Sequence, residues 1–250
     1  MHLPSGSGPV LHFLFESLGF FLGYWFYAFL RRRSTDPISD SNRLWILIGA
    51  IFGALIGSRL VGALEYPPAL MQATHPLLFA LQCKTIMGGL FGGLLGVEGI
   101  KKTIGEKHSS GDVMVFPLLL GIGLGRIGCL AMGINEPTYG LPTQSVFGMD
   151  LGDGTLRHPT ALYEIVFLVF FAGLLGYLQK RFRMERGFLF KLFMLGYFGF
   201  RFALEFLKPR YPVLGTLGTI QLTCIALWLY YLPTFRKFWT APQTLIYAQR

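Results

Sequence analysis

The sequence predicts an all-α, polytopic membrane protein with seven transmembrane helices, the N-terminus outside and the C-terminus cytoplasmic. Three observations carry this expectation. Apolar residues make up 52% of the 250-residue chain and charged ones only 14%, against about 25% charged in an ordinary globular domain. Apolar segments recur at roughly the 20-residue length that crosses a bilayer. Basic residues gather in alternate connections, as the positive-inside rule requires. Mean hydropathy is +0.50. So few charges cannot coat a water-exposed surface, so lipid must be part of the solvent. The three cysteines (Cys83, Cys129 and Cys224) form no CxxC pair. Neither a metal site, a disulfide framework nor a cofactor is therefore expected.

The first apolar segment runs from Leu11 to Leu30 and stops at Arg31, Arg32 and Arg33. A signal peptide carries its positive charges ahead of the apolar run, so this segment reads as a retained helix. Further segments lie at Leu44–Leu64, Thr85–Ile104, Val113–Met132, Thr160–Leu178, Gly187–Phe206 and Leu214–Leu232, and Pro117 interrupts the fourth span. The one long connection covers residues 133–158 and is rich in turn residues. Arg157-His158-Pro159-Thr160 then opens the fifth span, with Pro159 expected at the first helical position. The chain reads as a single integral membrane domain over 1–250 whose loop at about 133–158 faces outward.

Topology follows from counting cations. The connections after spans one, three, five and seven hold fourteen, from Arg31 to Arg250, and the opposite side holds only Lys84, Arg157, Lys208 and Arg210. Seven crossings explain this split. The formal net charge of +9 is therefore topological. Nucleic acid is not expected as a partner, because that needs a folded basic face with its own core.

Four cations fall inside spans: Arg59, Arg126, Lys191 and Arg201. An arginine at mid-bilayer costs about 2.5–3.5 kcal/mol, so three of them need compensation. Candidate partners are Glu16, Glu98, Glu164 and Glu205. Arg201, Glu205 and Lys208 share one helix face, Arg126, Cys129 and Gly133 another, and His12 and Glu16 a third. Such groups are either glue between helices or the walls of a polar cavity. Arg126, His158, Glu164, Arg201 and Glu205 all lie near the outer half of their spans. That placement suits a cavity for an amphiphile, whose phosphate head group matches the planar fork of an arginine. Lys191 is expected to snorkel to the inner interface.

Glycines repeat every four residues at Gly88, Gly92 and Gly96, and again at Gly53 and Gly57 and at Gly121 and Gly125. Small-xxx-small faces let helix backbones approach closely, so these glycines report tight packing. Gly123-Leu-Gly125-Arg-Ile-Gly128 matches GxGxxG, but a dinucleotide fingerprint needs a strand before it. This match lies deep inside an apolar helix.

Four pieces of the chain are similar to the prolipoprotein diacylglyceryl transferase family. They are Gly57-Ser-Arg59-Leu, Gly125-Arg126-Ile-Gly128, His158-Pro-Thr-Ala-Leu-Tyr163-Glu164 and Phe200-Arg201-Phe-Ala-Leu-Glu205-Phe, in family order. The resemblance implies a multi-pass enzyme of the bacterial inner membrane. Such an enzyme moves the diacylglyceryl group of phosphatidylglycerol onto the lipobox cysteine thiol of a prolipoprotein signal peptide. A thioether forms and glycerol phosphate leaves. Arg126 would inherit the head-group role and Arg201 would be the second essential cation. Glu164 and Glu205 would orient these arginines, and His158 would accept a proton or position the loop. Gly125, Gly128, Arg59 and Tyr163 would line the phosphatidylglycerol site, among membrane lipids. The chain departs from the family at Cys129, where asparagine is usual, and over Thr85-Ile-Met87-Gly88-Gly89-Leu-Phe91-Gly92-Gly93, where a histidine usually precedes a Gly-Gly pair and none is present. Ala161 and Lys208-Pro209-Arg210 depart as well. Two other expectations stay open: a protein of the same fold acting on another lipid or acceptor, or an inactive lipid-binding or transport protein.

Overall fold

A computed structural model describes residues 7–34, 36–240 and 246–248. Arg250, counted above among the inner cations, lies outside the described residues. The helices are α1 (Ser7–Arg33), α2 (Asp40–Ala63), α3 (Pro67–Gln72), α4 (Pro76–Gln82), α5 (Ile86–Thr103), α6 (Val115–Met132), α7 (Thr160–Arg181), α8 (Phe188–Leu204), α9 (Thr219–Tyr230) and α10 (Leu232–Thr240). Two short antiparallel pairs accompany them. Strand β1 (Met149–Asp150) pairs with β2 (Leu156–Arg157) in the outer loop, and β3 (Phe182–Met184) pairs with β4 (Ile246–Ala248).

Each of the seven apolar segments is a helix, but they differ in reach. α1, α2, α6 and α7 are long and apolar enough to cross a bilayer, and α4 with α5 makes a fifth if that pair, bent by 94°, counts as one span. α8 has 17 residues and α9 only 12, fewer than the roughly 20 a straight crossing needs. Local geometry shortens both. Gly187 has φ +88°, and α8 starts only after it. A 3-10 turn over Glu205–Leu207 tightens its other end. The Leu214–Leu217 bridge holds the chain in a turn until α9 begins at Thr219. Pro117 does not interrupt a span. It sits in the first turn of α6, behind a 3-10 turn over Asp112–Met114, where a missing N–H costs little. Pro159 caps α7 from outside, and the helix begins one residue later than expected, at Thr160. The Thr160 hydroxyl bonds the Thr138 carbonyl and ties that start to the outer loop.

α1 ends on three arginines, which favour a helix C-terminus. Arg31 and Arg43 then close the turn into α2 on Asp36. Burial pushes the Asp36 carboxyl up, but bonds from Arg43, the Ile38 N–H and Arg31 outweigh it and hold it below its ordinary range. α2 packs along α5 and α1 along α6. The α2–α5 approach is possible only without side chains. A Cβ on Gly57 would lie 2.3 Å from the Gly88 carbonyl oxygen, and one on Gly92 2.3 Å from that of Gly53. The core gathers around α8, where Phe193, Met194, Tyr197 and Phe198 are fully buried against α6, α7 and α9 residues such as Leu119, Leu168 and Leu227. Phe20, Phe21 and Trp25 on α1 and Val169 and Phe170 on α7 point outward. These outward apolar faces belong to a chain embedded in lipid.

Candidate active site

The polar residues of the helices converge on Glu164. This carboxylate, 1% exposed, sits one turn inside α7. Its Oε1 lies 3.0 Å from Nε of Arg126 on α6 and accepts the Tyr197 hydroxyl at 2.5 Å. Its Oε2 accepts Nη1 of Arg201 on α8 at 2.7 Å. Arg201 also reaches Glu205 Oε2 at 3.4 Å, and Lys208 Nζ stands 3.7 Å from Glu205 Oε1. The result is a continuous chain of three cations and two carboxylates crossing three helices. A buried ion pair repays its desolvation only when every charge has close partners, and Glu164 meets that condition with three.

Two donors are left over. Arg201 Nε is buried and has no hydrogen-bond partner among the described residues. Arg126 turns Nη1 towards the Cys129 thiol, 3.6 Å away. A guanidinium has five N–H donors in a fixed fork, so pairing with Glu164 does not exhaust either arginine.

A second group adjoins the first. His12 of α1 places Nε2 3.9 Å from Cys129 Sγ and 3.8 Å from Glu136 Oε2. Gly128 makes room for it, since a Cβ there would meet the His12 Cα at 3.1 Å. A cleft of about 400 Å³ reaches Glu205 and is walled by Glu65, Tyr66, Tyr139, Arg210 and Tyr211. Arg210 holds one rim by donating to the carbonyls of Glu205 (3.2 Å) and Thr216 (3.3 Å).

The structure thus brings together Arg126, Glu164, Arg201 and Glu205. Gly128 packs against His12 beside them, and the other expected residues make separate contacts. His158 hydrogen-bonds Tyr163 (Nδ1 to Oη, 3.2 Å), and its backbone N–H donates to Leu141. Both contacts hold the loop against the start of α7. Arg59 donates to the Cys83 carbonyl at 2.8 Å, beside the break between α4 and α5. Gly125 faces open space. Tyr197 was not foreseen, although it stands four residues before Arg201 on the same face, and Glu136 was seen only as part of a turn.

The sequence model of the prolipoprotein diacylglyceryl transferase family matches residues 12–235. The chain belongs to this family. A relative from Bordetella parapertussis is 34% identical over 208 residues, covering 77% of this chain and 76% of the relative. One from Nitratidesulfovibrio vulgaris is 32% identical over 221 residues, covering 82% and 78%. One from Chloroherpeton thalassium is 32% identical over 209 residues, covering 79% and 75%. Each is named a phosphatidylglycerol–prolipoprotein diacylglyceryl transferase. Met87, ahead of the first Gly-Gly pair of α5, is a fully buried core residue. Cys129 stands where asparagine is usual, and it lies between the Arg126 cluster and His12.

Proposed function

We propose that this chain transfers the diacylglyceryl group of phosphatidylglycerol to the lipobox cysteine of a prolipoprotein signal peptide. The observation that carries the chemistry is the Arg126–Glu164–Arg201 cluster, with the buried Arg201 Nε left without an acceptor. A buried, unsatisfied donor costs about 1–3 kcal/mol, and a phosphate oxygen is the acceptor that would remove this cost.

The acceptor sulfur attacks the glyceryl carbon that bears the phosphate. The C–O bond breaks, and glycerol phosphate departs with the bonding pair. Charge grows on the leaving oxygen, and two guanidinium groups fixed in a low-dielectric setting stabilise it without reorganising. Glu164 acts through the arginines: it holds both forks at one carboxylate and keeps Arg126 on α6 in register with Arg201 on α8. The cleft that reaches Glu205 gives head group and acceptor a way in.

The same reading sets the wider arrangement. The protein is a single membrane domain in the bacterial inner membrane, of seven crossings in which α8 and α9 each cross together with the turns that flank them. Its N-terminus and the loop at 133–158 face outward, and its C-terminus is cytoplasmic. The charge split supports this. A cysteine placed at Thr155 is expected to react with a membrane-impermeant maleimide added outside, and labelling from the cytoplasmic face alone would reverse the orientation. Purified protein supplied with phosphatidylglycerol and a lipobox peptide is expected to yield a thioether-linked diacylglyceryl peptide. Absence of that product at saturating lipid would refute the activity.

A further inference from the structure

We propose that His12, Cys129 and Glu136 are the ligands of a zinc-class divalent cation whose open fourth position takes the acceptor thiol. The donors arrive from α1, α6 and the outer loop. His12 Nε2 stands 3.9 Å from Cys129 Sγ and 3.8 Å from Glu136 Oε2, and all three donor atoms lie within 4.8 Å of one another. Around tetrahedral zinc, bonds of about 2.3 Å to sulfur and about 2.0–2.1 Å to nitrogen and oxygen put neighbouring donors roughly 3.3–3.6 Å apart. Modest side-chain movement therefore closes the site. One imidazole, one thiolate and one carboxylate are a zinc donor set, and three protein ligands with a vacant position are the pattern of catalytic rather than structural zinc.

The surroundings agree. All three residues are half-buried, out of bulk water yet reachable. Cys129 also lines a cleft of about 10 Å³, room for about one water, and the larger cleft runs past Ile134, Asn135 and Pro137, on either side of Glu136. Arg126 Nη1, 3.6 Å from Cys129 Sγ, places a positive charge where it favours the thiolate form. The sequence hid this site because His12 and Cys129 are 117 residues apart and no CxxC spacing announces it.

The assignment of the fourth ligand rests on the transferase reading above. That reaction needs a thiolate, while a free thiol titrates near 8.5. Coordination to zinc deprotonates a thiol outright. With no histidine before either Gly-Gly pair of α5, coordination supplies what a base would. The acceptor S–H proton passes to water at the cleft mouth as the sulfur–zinc bond forms. The sulfur pair then attacks the glyceryl carbon, the carbon–oxygen bond breaks, and glycerol phosphate leaves beside Arg126. The thioether, a weak donor, dissociates from the metal.

The full chain, purified in detergent and stripped with EDTA, is titrated with zinc chloride and with cobalt chloride. Elemental analysis is expected to find one metal per chain, and cobalt is expected to show a thiolate charge-transfer band. Cys129→Asn, which installs the family's usual residue and should fold, is expected to lose at least about 100-fold in zinc affinity, and His12→Ala a similar factor. Substoichiometric zinc in the unaltered chain, or unchanged affinity in folded Cys129→Asn, overturns the site. A lipobox-type cysteine peptide is expected to shift the cobalt band and its serine analogue is not. A band indifferent to the cysteine peptide overturns the fourth-ligand assignment. Transfer undiminished in stripped protein overturns the role of zinc and leaves the transferase reading intact. Stoichiometric zinc with no transfer under any condition leaves the metal site standing and sinks the transferase reading.

Discussion

Two helix contacts in this molecule solve the same packing problem by opposite means. α2 and α5 meet through bare backbone, with Gly57 against Gly88 and Gly53 against Gly92. α6, α7 and α8 meet through a carboxylate, two guanidinium groups and a phenol. The first contact needs no partner chemistry, since van der Waals contact between small residues suffices in a membrane. The second carries charges whose removal from water must be offset residue by residue. A fold that only needed to hold α6 to α7 could have used the first solution everywhere. The glycine seam is scaffold, and the charged contact is where the molecule accepts extra cost.

The largest expected effect separates the two contacts by chemistry. Arg126→Ala and Arg201→Ala should each lower transfer by about 10³-fold or more, the scale of a lost charge-stabilising donor set. Arg126→Lys should be nearly as damaging, because a point charge does not replace the fork. The check is product yield from phosphatidylglycerol and a lipobox peptide, with helix content monitored by circular dichroism. Near-normal transfer by both alanine variants would make the outer cluster glue, like its glycine counterpart.

The next effect is on stability. Gly57→Val places a side chain where even a Cβ would stand 2.3 Å from a carbonyl oxygen. Overpacking of this kind costs about 1–3 kcal/mol. The thermal midpoint in detergent should fall, while the folded fraction keeps its specific activity. A fall in specific activity at full folding would place the seam in the mechanism.

Legibility followed the same divide. The seven helices could be read because composition alone marks a lipid-facing segment, and the α2–α5 seam could be read because its spacing is local. Arg126, Glu164, Arg201 and Glu205 could be named because ionisable residues are rare at membrane depth. Helix length was less legible: α9 is 12 residues long because a tertiary turn at Leu214–Leu217 delays it. The β1–β2 pair in the outer loop involves only two residues on each strand, too few for an alternating pattern. His158 reads from its motif either as a proton acceptor or as a loop-positioning residue, and its contacts with Tyr163 and Leu141 are of the second kind. The convergence of His12, Cys129 and Glu136 needs α1 laid along α6, which no local spacing reveals.

Tyr197 sits between the two behaviours, an aromatic core residue with one polar tip on Glu164. Tyr197→Phe keeps the packing and removes the hydroxyl. Hydrogen bonds to charged groups contribute about 1.5–3 kcal/mol, but both arginines remain on Glu164, so the lower end is expected. Transfer should fall about tenfold with the fold intact. No change in either quantity would show that the arginines alone fix the carboxylate.

The smallest effect lies at the α2 end remote from that cluster. Glu106 follows α5, accepts from the His108 N–H and the Asn42 amide (both 3.0 Å), and meets the His108 ring at 2.7 Å. The His108 backbone bond first, then Asn42 and the His108 ring, lower its carboxyl from 4.5 to about 2. A carboxylate depressed in the folded state stabilises above its unfolded pKa and loses that contribution as pH falls through the folded value. The clip between the start of α2 and the end of α5 should therefore hold at neutral pH and loosen between about pH 4.5 and 2. Amide protection at residues 40–43 and 103–106, corrected for the intrinsic pH dependence of exchange, should fall over that window. Asn42→Ala should raise the pH at which loosening is complete, because one of the three stabilising bonds is gone. Protection that is flat across the window would mean that the glycine seam alone holds α2 to α5, down to their last turns.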